Sequence, residues 1–234
     1  MQQVLQIFKK EFGTYFISPV AYIVISIFLV VTGWFFFSTF FIYNQVSLRN
    51  FFSLLPSIFS FVVPAVTMRL FAEELNVGSY EMLLTMPVTV GQVVLGKFLA
   101  GTLFVGAMLV PTLAYPVTLS LLGTLDWGPV AGGYIGALLL GGAFCAVGLF
   151  ASSLTRNQIV AFIIAMTICF TLTLLDQMLF FLPDSLLGVF SYLAANGHFK
   201  TIAKGVMDSR DLLYFLSVIF VGLYGTHLSV QERC

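Results

Sequence analysis

The chain has 234 residues, 59% of them hydrophobic and only 9% charged, with a formal net charge of zero. Soluble domains average roughly 25% charged residues, so this charge set is too sparse for a water-facing surface, and an integral membrane protein is expected. A zero balance also leaves no electrostatic footprint for nucleic acid, which is excluded as a partner.

The three cysteines are Cys145, Cys169 and Cys234. An odd count, with two of them in apolar runs, fits neither a metal site nor a disulfide framework. Lys9 and Lys10 precede an apolar run much longer than a signal-peptide core of roughly 7–15 residues, so no signal peptide is read there.

A helix crossing about 30 Å of hydrocarbon needs roughly 20 apolar residues. Charges therefore serve as punctuation. Between Gln2 and Phe16, Leu5, Phe8, Phe12 and Tyr15 recur at helical spacing, with Lys9 and Lys10 on other faces. That pattern predicts a helix lying in the membrane interface. Ser18-Pro19 predicts a break, with serine as N-cap and proline at the first helical position. Span 1 follows from about Pro19 to Tyr43, and span 2 from about Phe51 to Met68. Pro56 and Pro64 are expected to kink or shorten span 2, which membrane helices tolerate.

A polar interruption then runs from Arg69 to Gln92 and carries Glu73, Glu74 and Glu81. Charges are expelled from hydrocarbon, so this segment faces water or a partner. Gly78 is placed to end a short helix. Ser79 is placed to cap another, with Glu81 in its first turn and Tyr80, Met82, Leu83 and Leu84 along it. That helix stops before Pro87. Thr89 and Gln92 form a T-x-x-Q capping box that opens the next span.

Span 3 is predicted from about Val90 to Leu122, with Pro111 and Pro116 in its far half. A tight turn at Thr124–Pro129 leads into span 4, which ends near Ala151. Gly128, Gly132 and Gly136 sit four apart, as do Gly133, Ala137 and Gly141, and small residues so spaced admit a close helix neighbour. Arg156 lies in the short turn before span 5, which runs from about Gln158 to Phe180. Between Pro183 and Arg210, Leu186, Leu187, Phe190 and Leu193 suggest one short amphipathic helix, and Phe199, Ile202, Ala203 and Val206 a second. Asn196-Gly197 reads as the turn between them. Span 6 runs from about Leu212 to Val230.

Six spans put both ends on one side. That side holds Lys9, Lys10, Arg69, Lys97, Arg156 and Arg233, against Arg49, Lys200, Lys204 and Arg210 on the other. The positive-inside rule then places both termini, and the polar interruption, in the cytoplasm.

Enzymatic signatures are missing. Gly91 to Lys97 matches the first seven positions of a P-loop, but the eighth is Phe98 where a hydroxyl must reach magnesium. His198 and His227 are the only histidines, and neither lies in H-E-x-x-H. Asp176 is the one carboxylate inside an apolar run and is a candidate intramembrane polar site. Its place near the end of span 5 also suits an interfacial or capping role. Ion-coupling groups at mid-membrane, expected of a secondary transporter, are scarce.

Several motifs resemble those of type-2 ABC exporter permeases. They are Arg69, Phe71-Ala72-Glu73-Glu74, Gly78, Glu81-x-Leu83-Leu84, Pro87-Val88 and Leu95-Gly96-Lys97-Phe98. Ser18-Pro19 before a long aromatic span, His198-Phe199, Gly205-Val206 and Asp208-x-Arg210-Asp211 extend the likeness over nearly the whole chain. The GldF-like branch of gliding-motility permeases is the nearest in pattern, with NosY-like permeases more distant. The resemblance implies an all-α integral membrane fold in a single permease domain, 1–234. Its parts are an interfacial elbow helix at 1–16, spans 1 and 2 at 19–68, a cytoplasmic coupling segment at 69–92, spans 3 to 5 at 90–180, an outer helical segment at 183–210 and span 6 at 212–230.

It further implies a permease subunit of an ATP-driven exporter in the cytoplasmic (inner) membrane. The partners it implies are a separate cytoplasmic ATPase, a second permease copy or related permease, membrane lipid, and an auxiliary periplasmic or membrane subunit. No cofactor is expected on this chain, because ATP and magnesium belong to the partner. The residues expected to couple to the ATPase are Glu73, Glu74, Gly78, Tyr80, Glu81, Leu83, Leu84 and Pro87. The carboxylates meet basic groups, and Tyr80, Leu83 and Leu84 fill an apolar groove. Two alternatives stand beside this reading: a non-transporting subunit that transmits force to a surface machine, and a channel or secondary transporter.

Overall fold

The computed structural model describes residues 2–43, 47–78, 88–178, 184–206 and 208–232. These residues form α1 (Gln2–Ile17), α2 (Pro19–Tyr43), α3 (Arg49–Thr67), α4 (Arg69–Val77), α5 (Val90–Leu109), α6 (Ala114–Leu122), α7 (Trp127–Leu154), α8 (Gln158–Met178), α9 (Asp184–Leu193), α10 (Ala195–Ala203) and α11 (Ser209–Gln231). Six stretches are long and apolar enough to cross a membrane: α2, α3 with α4, α5 with α6, α7, α8 and α11. The expected all-helical membrane architecture is thus present.

α7 is the axis of the bundle. In its most apolar window 78% of residues are buried, against 22% for α2 and for α8. α11, α3, α8, α10 and α5 all pack on it. The glycine stripes of α7 explain how so many neighbours fit. A side chain at Gly133 would collide with the Phe52 ring of α3, and one at Gly141 with Val105 of α5. Gly132 meets the Ile202 carbonyl of α10 with no room between. The two stripes therefore serve different partners: α10 on one side, α3 and α5 on the other. From the other direction, Gly222 lets α11 lie on the backbone of Ala146, which a Cβ would approach to 2.9 Å. Large aromatics fill what remains: Phe28, Phe52, Phe59, Phe104, Phe144 and Phe215 are fully buried.

Local signals account for several helix ends. Ser18 separates α1 from α2, and its Oγ accepts from the Val20 N–H at 3.3 Å. Gln92 Oε1 accepts from the Thr89 N–H at 3.1 Å, closing its half of the expected capping box. Asp126 and Asp208 cap α7 and α11 by accepting from Gly128 and Arg210, both at 3.1 Å. Pro111 breaks the third span into a 3-10 turn at Pro111–Leu113.

Pro56 and Pro64 behave otherwise, for α3 runs through both. The bend comes at Met68, one turn after Pro64. Hydroxyls in the same stretch bond back to their own helix: Ser60 Oγ donates to Ser57 O at 2.7 Å and Thr67 Oγ1 to Val63 O at 3.0 Å.

The segment between the fifth and sixth spans is two short helices, with one correction to the expected turn. Asn196-Gly197 lies inside α10, and the chain breaks earlier, at Ala194. The physical reason is that Asn196 is buried and committed, donating from Nδ2 to Asp176 Oδ2 at 3.0 Å. The same Asp176 oxygen takes Lys200 Nζ at 2.7 Å. Asp176 therefore ties the end of α8 to α10.

A second tie fixes α10 and α9 to α11. His198 Nδ1 lies 2.6 Å from Asp211 Oδ1, and its Nε2 lies 3.0 Å from Tyr192 O. The ring stacks on Tyr214 at 4.3 Å, and the Tyr214 hydroxyl donates to Leu193 O at 2.8 Å.

Candidate functional site

The polar interruption after span 2 begins as a helix. α4 continues α3 past the Met68 bend, burying Leu70, Phe71 and Ala72 and ending at Gly78. Gly78 has φ +76°, the left-handed region that ends helices and that glycine enters freely. Tyr80, Glu81, Leu83, Leu84 and Pro87 lie outside the described residues.

Lys97 dominates the site. It sits two turns into α5 and is 1% exposed. It is turned into the protein rather than toward interfacial water. Its ammonium has three internal acceptors instead: Glu74 Oε1 at 2.8 Å, Glu11 Oε1 at 3.0 Å and Leu70 O at 2.8 Å. Phe71 adds a ring face, 5.2 Å from Nζ to centroid. An ammonium has three protons to donate, and here each has a partner. One buried cation thus holds the elbow helix α1, the polar helix α4 and the start of the third span.

Packing leads to the same joint. α1 lies chiefly along α5. Gly96, beside Lys97, admits Ile7 of α1 so closely that a Cβ would come within 2.8 Å of its Cγ2. Tyr15 of α1 is buried, stacks on Phe104 of α5 at 4.8 Å, and carries the Arg69 guanidinium 5.3 Å from its ring centre. Burial pushes the Tyr15 phenol far above its usual range, with Arg69 pulling the other way. The hydroxyl thus stays protonated beside its acceptor, Val66 O, at 3.4 Å.

Ser152, at the end of α7, holds α4 from the opposite side. Its Oγ donates to Met68 O at 2.7 Å and accepts from the Phe71 and Ala72 N–H groups, both at 3.0 Å. One fully buried hydroxyl satisfies three backbone groups at the bend. Behind it, Gly148 gives way to the Thr67 side chain with no space for a Cβ. Ser229 of α11 donates to Ser153 O at 3.2 Å, so the last span ends at the same junction.

Of the residues predicted to couple, the described ones are Glu73, Glu74 and Gly78. Glu73 is exposed, whereas Glu74 is turned inward onto Lys97. Both line an open cleft of about 420 Å³ between α1 and α4, together with Lys10, Thr14 and Arg69. Asp176 is far from this junction, in the cluster with Lys200 and Asn196. Sequence reasoning missed Glu11 and Ser152. Glu11 carried a signal, as the first acid of the chain and the one acid of α1. Ser152 carried none, since a serine ending an apolar helix is ordinary.

Among the described residues no group of three or more His, Cys, Asp or Glu side chains is placed to hold a metal. The chemistry on offer is mechanical: ion pairs and backbone bonds that make α4 one body with three other elements.

No curated protein matches the chain. A family model described as ABC-2 family transporter protein matches residues 5–193. That stretch takes in nearly all of α1, five of the six long apolar stretches and the Lys97 and Ser152 contacts to α4. The chain belongs to this family, and it is a multi-pass membrane permease component of an ABC transporter.

Proposed function

We propose that this permease is an exporter subunit in the inner membrane, with both termini cytoplasmic, driven by a separate ATPase that grips the segment following α4. The observation that carries the reading is the Lys97 junction. A push on residues 79–87 enters α4 at one end and the third span at the other, and Lys97 binds those two elements to α1. Ser152 binds α4 to the central helix. Nucleotide-driven displacement is therefore delivered to the bundle as a whole rather than absorbed in a loop.

Glu73 is the described carboxylate free to meet the ATPase, and Glu81 the expected one beyond it. Glu74 acts inside the permease. Tyr80, Leu83 and Leu84 supply the apolar anchors that dominate such interfaces. Even span number and the basic bias of the α1–α4 side support the cytoplasmic placement. Spans rich in phenylalanine and glycine favour a lipidic, polymeric or peptide cargo over a small ion.

The test combines sidedness with assembly. Asn76→Cys in a cysteine-free background should react with a membrane-impermeant maleimide only after the cytoplasmic face is opened. Reaction from outside rejects the topology. Glu73→Lys with Glu81→Lys should reduce co-purification of the ATPase while the permease stays folded. Undiminished capture rejects those contacts. A force-transmitting subunit without cargo remains the second reading, favoured by the rigid α4 joint; it predicts dependence on the ATPase with no transported molecule.

A further inference from the structure

α8 and α11 both pack along α7 but scarcely touch each other. Between them lies a slot of about 460 Å³, lined at one end by Tyr192 and Leu193 of α9. Its floor is Val147 and Phe150 of α7, and its walls carry Ile168 and Leu172 on one side and Val218 and Val221 on the other. Along α11 it extends from Tyr214 to Gly225, about 16 Å at 1.5 Å per residue.

The slot is almost wholly apolar. Ser217 donates its hydroxyl to Tyr214 O at 2.7 Å, and Tyr214 donates to Leu193 O at 2.8 Å. Of its three hydroxyl-bearing side chains, two are thus occupied internally, and the third, Tyr192, stands at one end. The slot lies at membrane depth, between two spans, so its occupant comes from the hydrocarbon. Its long, narrow apolar lining suits an alkyl chain, and the charge at its end selects the chain of a lipid.

The rim supplies a charge. Arg210 is exposed at the start of α11, four residues before Tyr214 and so on the same helix face. The neighbouring cation Lys200 is engaged by Asp176, and His198 faces Asp211. Among the described side chains neither Arg210 nor Lys204 is in an ion pair; Arg210 is the one on the helix that lines the slot, which leaves its guanidinium for a phosphate at headgroup level.

We propose that the slot between α8 and α11 holds one alkyl chain of a phospholipid from the leaflet bordered by α9 and α10, with the lipid phosphate against Arg210. The site does not depend on where ATP is hydrolysed or on which way cargo moves.

Native mass spectrometry of the full chain, delipidated and then titrated with phosphatidylglycerol or diacylglycerol, tests this. One phosphatidylglycerol per chain should bind saturably, and diacylglycerol at least several-fold more weakly. Val221→Phe narrows the slot from an exposed wall position and should abolish the tight site with thermal stability unchanged. Arg210→Gln should weaken phosphatidylglycerol several-fold and leave diacylglycerol unaffected. Equal binding by Val221→Phe and the parent chain overturns the slot assignment. Loss of self-association in that variant also overturns it, because a second copy then fills the slot. Equal affinity for the two lipids overturns the role of Arg210.

Discussion

Lys97 Nζ stands 2.8 Å from Glu74 Oε1 and 3.0 Å from Glu11 Oε1, in a place where the lysine is 1% exposed. Removing one member of a buried ion pair strands the others, at about 3–5 kcal/mol. Lys97→Met is therefore expected to destabilise by about that much, leaving two carboxylates without their cation. The triple variant Glu11→Gln, Glu74→Gln, Lys97→Met removes every charge and should recover most of the loss. Thermal unfolding in detergent measures both. If the triple variant is no better than Lys97→Met alone, the lysine acts through packing on Phe71 rather than through charge.

Ser152→Ala deletes one donor and one double acceptor beneath the Met68 bend. Phe71 and Ala72 N–H and Met68 O each lose the partner that Ser152 supplied. A buried group so orphaned costs about 1–3 kcal/mol. The expected signature is local: faster hydrogen–deuterium exchange over residues 68–72, with exchange in α9 and α10 unchanged. Uniform loosening of the whole chain would assign Ser152 to general packing instead.

The expectations that held were those written in local chemistry. Ser18-Pro19, Thr89 with Gln92, and Gly78 each act on atoms within a few residues, so the sequence displays cause and effect together. The long apolar runs displayed their fate in the same way, since length and lack of charge decide it. What stayed hidden depends on who stands opposite. Gly132 and Gly133 announced close neighbours, but only the fold shows that one meets α10 and the other Phe52. The burial of Lys97 was not legible because its three acceptors come from residues 11, 70 and 74. Asn196-Gly197 had turn chemistry, and a pairing to Asp176 twenty residues away overruled it.

Gly78 separates backbone effects from steric ones. Nothing lies within 4 Å of where its Cβ would stand, and its φ is +76°. Any penalty on substitution is then conformational, about 1–2 kcal/mol for a residue with a Cβ. Asparagine tolerates this region better than alanine. Gly78→Asn is thus expected to cost less than Gly78→Ala despite its bulk, read as the shift in thermal midpoint. The reverse order would mean that bulk, not backbone, sets the requirement.

His198 and Asp211 fix the helices between the last two spans. Nδ1 faces a carboxylate oxygen and Nε2 a backbone carbonyl. Asp211 is also buried, and its Oδ2 already has no hydrogen-bond partner. His198→Phe keeps a ring on Tyr214 but withdraws both ring nitrogens, so Asp211 is left buried without its partner. The expected loss is about 1–3 kcal/mol. Asp211→Asn in the parent chain should also destabilise, whereas added to His198→Phe it should restore part of the stability by removing the stranded charge. This double-mutant cycle isolates the pair from the aromatic stack, which both histidine and phenylalanine maintain. Additive losses would show that the two side chains do not interact, and that the stack on Tyr214 alone holds α10 against α11.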